Sequence, residues 1–215
     1  MSYYDRHEVS NSDLSSLKLE LSSNEYRMDC EAAYKFGRLI DAMITEPKTV
    51  NYFKKTVEGD QPDQYTDDDF KIAEYMKKAF YHDELCVSLA RQSTGQNVFS
   101  VPDFTIDYGG FEFTLPVRCK FDLWSDMLGW GSDIKSTTAT TQKEFEAACL
   151  YFDYDRQRAW YMDIAGSDKD VLIGISKKNY KVFKVPISRD SEWYKSGKEK
   201  YQSLAFKWWM LYANF

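Results

Sequence analysis

Histidine is nearly absent from this chain: only His7 and His82 occur in 215 residues. That argues against a His-rich zinc site, which needs clustered imidazoles. The four cysteines, Cys30, Cys86, Cys119 and Cys149, are scattered and form no C-x-x-C pair. Their spacing gives no support for an iron–sulfur cluster, and reduced, buried thiols are the expectation. No apolar run reaches membrane-spanning length, and the polar start MSYYDRHEVS does not have the form of a signal peptide. Together these absences predict a cytoplasmic protein with no membrane partner. Repeats and linkers are also missing. The net charge is −6, so the basic excess expected of a nucleic-acid binder is lacking as well.

What is present is apolar and aromatic material. Hydrophobic residues make up 43% of the chain and aromatics 17%, which predicts one packed globular domain over residues 1–215. Residues 1–95 read as mostly helical. A helix capped by Asn11 or Ser12 runs to about Leu21, and a longer one from about Asp29 to Thr45 stops before Pro47. Two more helices fall between Thr66 and Arg91, broken near His82 and Asp83. Asp67, Asp68 and Asp69 sit at a helix start, where negative charge is favoured. Thr56 to Tyr65 reads as loop. From Asn97 the pattern turns to strands: VFSVP, FTIDYG, FEFTLPVRCKFDLW and GWGSDIKST, with Gly109-Gly110 as a hairpin signal. Helices over Thr141–Tyr151 and Asp153–Ile164 follow, then strands VLIGIS and YKVFKVPIS and a closing helix from about Ser191 to Tyr212. In that last helix Tyr201, Leu204, Trp208 and Leu211 are expected in the core. The sum is α/β, a mixed central sheet flanked by helices.

The chemistry-bearing residues lie at 121–135. Asp122 ends one strand-like run, and Asp133-Ile134-Lys135 follows eleven positions later. With a strand period of two, Asp133 and Lys135 share a face while Ile134 turns toward the core. Both polar side chains are expected to face a cleft and carry no core packing. Two carboxylates from neighbouring strands can converge on a hard divalent cation. A D-x-K triplet alone is mostly a solvated strand face; its setting between strand and turn is what raises it here. Downstream, Gln157 and Tyr161 lie four apart in a helical segment and share a face.

In this order, Asp122, Asp133-Ile134-Lys135-Ser136-Thr137-Thr138 and Tyr154-Asp155-Arg156-Gln157-Arg158-Ala159-Trp160-Tyr161 resemble the PD-(D/E)xK nuclease superfamily. The closest match is its phage-type recombination exonuclease branch, which includes exodeoxyribonuclease VIII and, more distantly, lambda exonuclease. Ser10-Asn11-Ser12-Asp13-Leu14 resembles that branch's S-x-S-x-L element. Ala33 to Pro47 resembles its F-G-x-x-x-H helix, here Phe36-Gly37-Arg38-Leu39-Ile40-Asp41, with Asp41 in place of histidine. A carboxylate there remains a good ligand for Mg²⁺ or Mn²⁺.

The resemblance implies a restriction-endonuclease-like fold with the nuclease core over residues 96–215, and a bacterial or phage origin. It implies a metal-dependent exonuclease acting on linear double-stranded DNA. Asp41, Asp122, Asp133 and the Ile134 carbonyl would hold Mg²⁺ or Mn²⁺. Lys135 would act on the attacking water, and Gln157 and Tyr161 would position the site or a strand. Ser10, Ser12 and Arg38 would contact DNA, although plain N-capping explains Ser12 equally well. Expected partners are DNA, other copies of the chain in a ring, and a single-strand annealing protein. The acidic charge is compatible with this, because bound cations reverse the local sign of such a site. The basic clusters Lys177, Lys178, Lys181 and Lys195, Lys198, Lys200 each read as solvated faces. Two alternatives remain open: a structure-specific or restriction-type endonuclease, and a non-catalytic DNA-binding or assembly module of the same fold.

Overall fold

The computed structural model describes residues 6–22, 31–58 and 63–212. Helix α1 covers Asn11–Leu21. Its cap is Ser10, not Asn11 or Ser12. The Ser10 hydroxyl accepts from the Asp13 N–H, and the Asp13 carboxylate reaches back to the Ser10 N–H at 2.7 Å. This reciprocal arrangement satisfies two donors that the helix cannot satisfy itself. Helix α2, Glu31–Thr45, buries Phe36, Leu39, Ile40 and Met43, spaced three and four apart as one helical face requires. It ends before Pro47, which opens a short 3-10 turn over Pro47–Thr49.

The segment read as loop, Thr56 to Tyr65, carries two short strands, β2 (Thr56–Val57) and β3 (Asp63–Gln64), which form a small antiparallel sheet with β1 (Val50–Asn51). Two-residue strands are too short to show alternation, so nothing in the sequence pattern marks them. Helices α3 (Asp67–His82) and α4 (Glu84–Gln92) follow, with Thr66 and Asp83 as caps. Asp67, Asp68 and Asp69 occupy the first turn of α3.

The main sheet has five strands in the order β4-β5-β6-β7-β8. Strand β4 runs from Thr94 to Tyr108 without interruption; the two runs expected there are joined through a register shift between Val101 and Phe104. Strand β5 is Phe111–Ser125, and the intervening Gly109 and Gly110 both have positive φ, as a tight hairpin turn demands. Strand β6 (Trp130–Thr137) pairs antiparallel with β5 and parallel with β7 (Lys169–Ser176). Helices α5 (Gln142–Tyr151) and α6 (Tyr154–Ala165) make the crossover that a parallel pair needs. Strand β8 (Val182–Ser188) closes the sheet and α7 (Glu192–Tyr212) closes the chain.

The mixed central sheet flanked by helices is therefore as expected. Helices α2–α4 cover one face around Leu39, Met43, Phe80, Ile134 and Ile173. Helices α1, α5, α6 and α7 cover the other around Leu14, Phe121, Phe145, Trp160 and Tyr201. Tyr201 and Leu204 are buried and Trp208 packs against the same core, but Leu211 is exposed near the end of the helix. Cys86, Cys119 and Cys149 are buried free thiols, and burial pushes the Cys149 thiol up to about 12. Cys30 lies outside the described residues. Among the described residues no helix is long and apolar enough to cross a membrane.

Candidate active site

Strands β5 and β6 are paired only through Leu123–Ser125 against Trp130–Ser132. Beyond Leu123 they part. Asp122, within β5 rather than at its end, fills the opening, and its Oδ2 accepts the Ile134 N–H at 2.7 Å. A side-chain carboxylate thus takes the place of a ladder carbonyl. Ile134 turns into the α2–α4 core, whereas Asp133 and Lys135 turn toward α6.

Asp133 is 2% exposed and lies between two cations. Its Oδ2 pairs with Lys135 Nζ at 2.5 Å, and its Oδ1 accepts from Arg158 Nη1 at 2.8 Å. Arg158 in turn makes a two-pronged pair with Asp170, through Nε at 3.1 Å and Nη2 at 2.8 Å. The expectation that Asp133 carries no packing is corrected: it anchors a buried ion network. Lys135 is freer, with its ammonium 4.8 Å from the Tyr154 ring centre. Burial alone would lower its pKa, but Asp133, then Tyr154 and Asp122, outweigh burial and raise it. Lys135 is therefore charged throughout the physiological range.

Asp41 arrives from α2, on the other face of the sheet. Thr45 donates to its Oδ1 at 3.2 Å and Gln96 Nε2 to its Oδ2 at 2.9 Å. Gln96 lies in β4 between Gly95, partner of Leu123, and Asn97, partner of Phe121, and so stands opposite Asp122. Its φ of 56° is left-handed, an uncommon conformation for a glutamine. Gly95 permits the approach, since a Cβ there would meet the Thr45 carbonyl oxygen at 2.4 Å.

Burial, then Asp133, pushes the Asp41 carboxyl up to about 6; Lys120 opposes the shift. Burial, then Asp41 and Asp133, raises Asp122 well above the usual carboxylate range. The three carboxylates sense one another through the gap between β5 and β6. Lys135 and Arg158 are both drawn onto Asp133, so Asp41 and Asp122 are left short of positive charge. An all-oxygen donor set with that deficit suits a hard divalent cation. Among the described residues, however, no group of three His, Cys, Asp or Glu side chains is arranged to grip an ion as it stands. As they stand, the carboxylates act on one another electrostatically, and the Asp133 Oδ2 that faces Lys135 accepts no hydrogen bond.

The remaining predicted residues fare differently. Gln157 is half-buried, and its Oε1 is buried without a hydrogen-bond partner. Tyr161 is 7% exposed, 5.3 Å from the Phe121 ring and 4.4 Å from the Arg158 guanidinium carbon. It packs the arginine that holds Asp133. Ser10 is buried and its hydroxyl donates to Asp13 at 2.6 Å. Ser12 and Arg38 are exposed, on α1 and α2. Lys195 pairs with Glu192, Lys198 with Asp163, and Lys200 with Asp153 and Asp155. Lys177 lies over the Phe36 ring at 3.9 Å.

Sequence reasoning missed Arg158, Asp170, Tyr154 and Gln96. Tyr154, Arg158 and Tyr161 are spaced four and three apart, so the rule that picked Gln157 and Tyr161 could have found the face of α6 that meets the site. Gln96 carries no such signal. A cavity of about 430 Å³ lined by Leu85, Trp130, Val171 and Ile187 lies apart from the Asp41, Asp122, Asp133 and Lys135 side chains.

No family model matches the chain, and no curated protein matches it. Among solved structures it is similar to a phage-related exonuclease from Haemophilus somnus 129PT, at 17% identity and a TM-score of 0.43, over 94% of this chain and 93% of that one. It is also similar to SSO0001, at 10% identity and a TM-score of 0.38, over 90% of this chain and 84% of that one. A third is an alkaline exonuclease from Laribacter hongkongensis, at 12% identity and a TM-score of 0.38, over 93% of this chain and 87% of that one.

Proposed function

We propose that this protein is a metal-dependent deoxyribonuclease of the PD-(D/E)xK type that hydrolyses phosphodiester bonds of linear double-stranded DNA in the cytoplasm. What supports the reading is that Asp122 accepts the Ile134 N–H where β5 and β6 part, that Asp133 and Lys135 are ion-paired on the adjoining β6, and that Asp133 helps to raise the buried Asp41 carboxyl. Packing alone gives no reason to bury carboxylates whose mutual repulsion outweighs the cations and hydrogen bonds around them, since like charges at a half-buried site oppose folding.

Asp41, Asp122, Asp133 and the Ile134 carbonyl would hold Mg²⁺ or Mn²⁺. When bound, such an ion supplies Lewis-acid polarisation of the phosphate and a more acidic water. The chain's own residues do the rest. Asp122 is fixed by the Ile134 N–H and Asp41 by Gln96 and Thr45. Arg158 keeps the Asp133 carboxylate oriented when the Lys135 ammonium leaves it. Lys135, held charged, then turns from Asp133 to the phosphate oxygens and offsets the charge that develops there.

The test is digestion of linear duplex DNA with Mg²⁺ or Mn²⁺, with and without chelator, by wild type and Lys135→Ala. Lys135→Ala should cut at least about a hundredfold more slowly, the scale of losing one charge-stabilising donor. Digestion at the wild-type rate would remove the mechanism. A closed circular substrate separates exonuclease, which leaves it intact, from endonuclease.

A further inference from the structure

The corner between α5 and α6 presents three consecutive exposed apolar side chains, Leu150, Tyr151 and Phe152, at 47%, 74% and 47% exposure. A soluble domain normally hides such a run, and its position gives it meaning. The Phe152 ring stacks on the Tyr154 ring, with centres 5.8 Å apart and planes inclined by 28°. Tyr154 in turn sits beneath the Lys135 ammonium. A continuous aromatic path therefore leads from solvent to the candidate catalytic lysine. Tyr34 on α2, 73% exposed, acts electrostatically on the Tyr154 hydroxyl.

The corner is held in shape. Asp153, between the two stacked rings, has a left-handed backbone with φ 53° and ψ 38°. Aspartate tolerates this better than most residues, but at a cost. Two cations fix it there: Lys18 from α1, and Lys200 from α7 at 3.2 Å. Two helices thus hold a conformation whose visible consequence is the stacking of Phe152 on Tyr154.

We propose that Phe152, with Tyr151 beside it, is a stacking platform for an unpaired nucleobase of the strand whose phosphate lies at Lys135. This rests on the nuclease reading for its orientation, but stacking itself needs no cleavage. Every base has a π-face, so aromatic platforms bind single strands without regard to sequence. The sugar-phosphate chain would continue from the platform to the ammonium within one nucleotide. The consequence for specificity is that the site takes strand ends or frayed segments in preference to an intact duplex.

Binding of a short single-stranded oligonucleotide, and of the same strand with abasic terminal residues, is to be followed by fluorescence anisotropy in chelator, where no cleavage occurs. Wild type should prefer the strand with bases. Phe152→Ala should weaken that binding on the order of tenfold, should bind the abasic strand as wild type does, and should be rescued by Phe152→Trp. A 2-aminopurine at the strand terminus should be quenched by wild type and not by Phe152→Ala. Equal loss for both strands, or no loss, overturns the proposal. So does a change in oligomeric state by light scattering on Phe152→Ala, which would make the corner a contact between copies of this chain. If the strand binds as described but is not cut with Mg²⁺, the nuclease reading fails and the platform stands.

Discussion

The Asp122 carboxylate accepts the Ile134 backbone N–H at 2.7 Å. This one contact ties the opening of the sheet to the placing of a charge. The N–H freed where β5 and β6 part needs a buried acceptor, and the residue that supplies it is also the carboxylate at the heart of the site. Two requirements are met by one side chain, so the strand separation is built in rather than incidental.

Asp122→Asn should keep that hydrogen bond through its amide oxygen and remove the charge. In chelator the variant should melt a few degrees higher than wild type at pH 8, and it should not cleave DNA. A lower melting temperature would show that the carboxylates are not strained against one another.

The same crowding sets a pH dependence. A carboxyl whose folded pKa is raised contributes stability that is complete below its unfolded pKa and is lost as pH rises through the folded value. For Asp41 that window runs from 3.8 to about 6, and the raised Asp122 extends it upward. In chelator, acidification from pH 8 toward 5 should therefore stabilise the wild type. Asp83 and Asp153, whose pKa values are lowered, act in the opposite sense at lower pH. Saturating Mg²⁺ should flatten the dependence above pH 5. A melting temperature that falls steadily on acidification from pH 8 would contradict the assignment.

Arg158 holds two buried aspartates. Arg158→Met should cost about 3–5 kcal/mol by denaturant midpoint, the penalty for leaving buried charge unpaired. Arg158→Lys should recover little, since an ammonium cannot reproduce the fork that spans both Asp170 oxygens. For the same reason Asp133→Ala should lower stability as well as activity. A loss below about 1 kcal/mol for Arg158→Met would mean the network is more hydrated than the geometry indicates.

Gln96 gives two separable effects. Its left-handed backbone should make Gln96→Gly more stable than Gln96→Ala by about 1 kcal/mol, the reverse of the usual order in a strand. Both substitutions free Asp41 from its amide donor, and Mn²⁺ affinity by calorimetry should fall roughly tenfold, as for other residues that orient a metal ligand. Unchanged affinity would reduce Gln96 to a structural role.

A closed homo-oligomer is the expected assembly. It would let lysines from several subunits line one channel while the outer surface stays acidic, which would reconcile a net charge of −6 with the proposed binding of a polyanion. Light scattering at micromolar concentration checks it, and a strict monomer would remove the channel argument.

The sequence by itself determined the order and kind of nearly every element, because helix and strand periods, caps, Pro47 and the Gly109–Gly110 turn are local signals. It also determined that Asp133 and Lys135 share a face, since alternation along a strand needs no partner. Only the tertiary structure decided how those side chains are spent. That Asp133 is paired with Arg158, that Arg158 leans on Asp170, that Tyr161 is core and that Ser10 is buried all depend on which elements pack together. Gln96 is the clearest case: it is separated from Asp41 by 55 positions and lies in a strand that shows no sign of a left-handed residue. Ion pairs and backbone strain are set by distances across the fold, and no period along the chain encodes them.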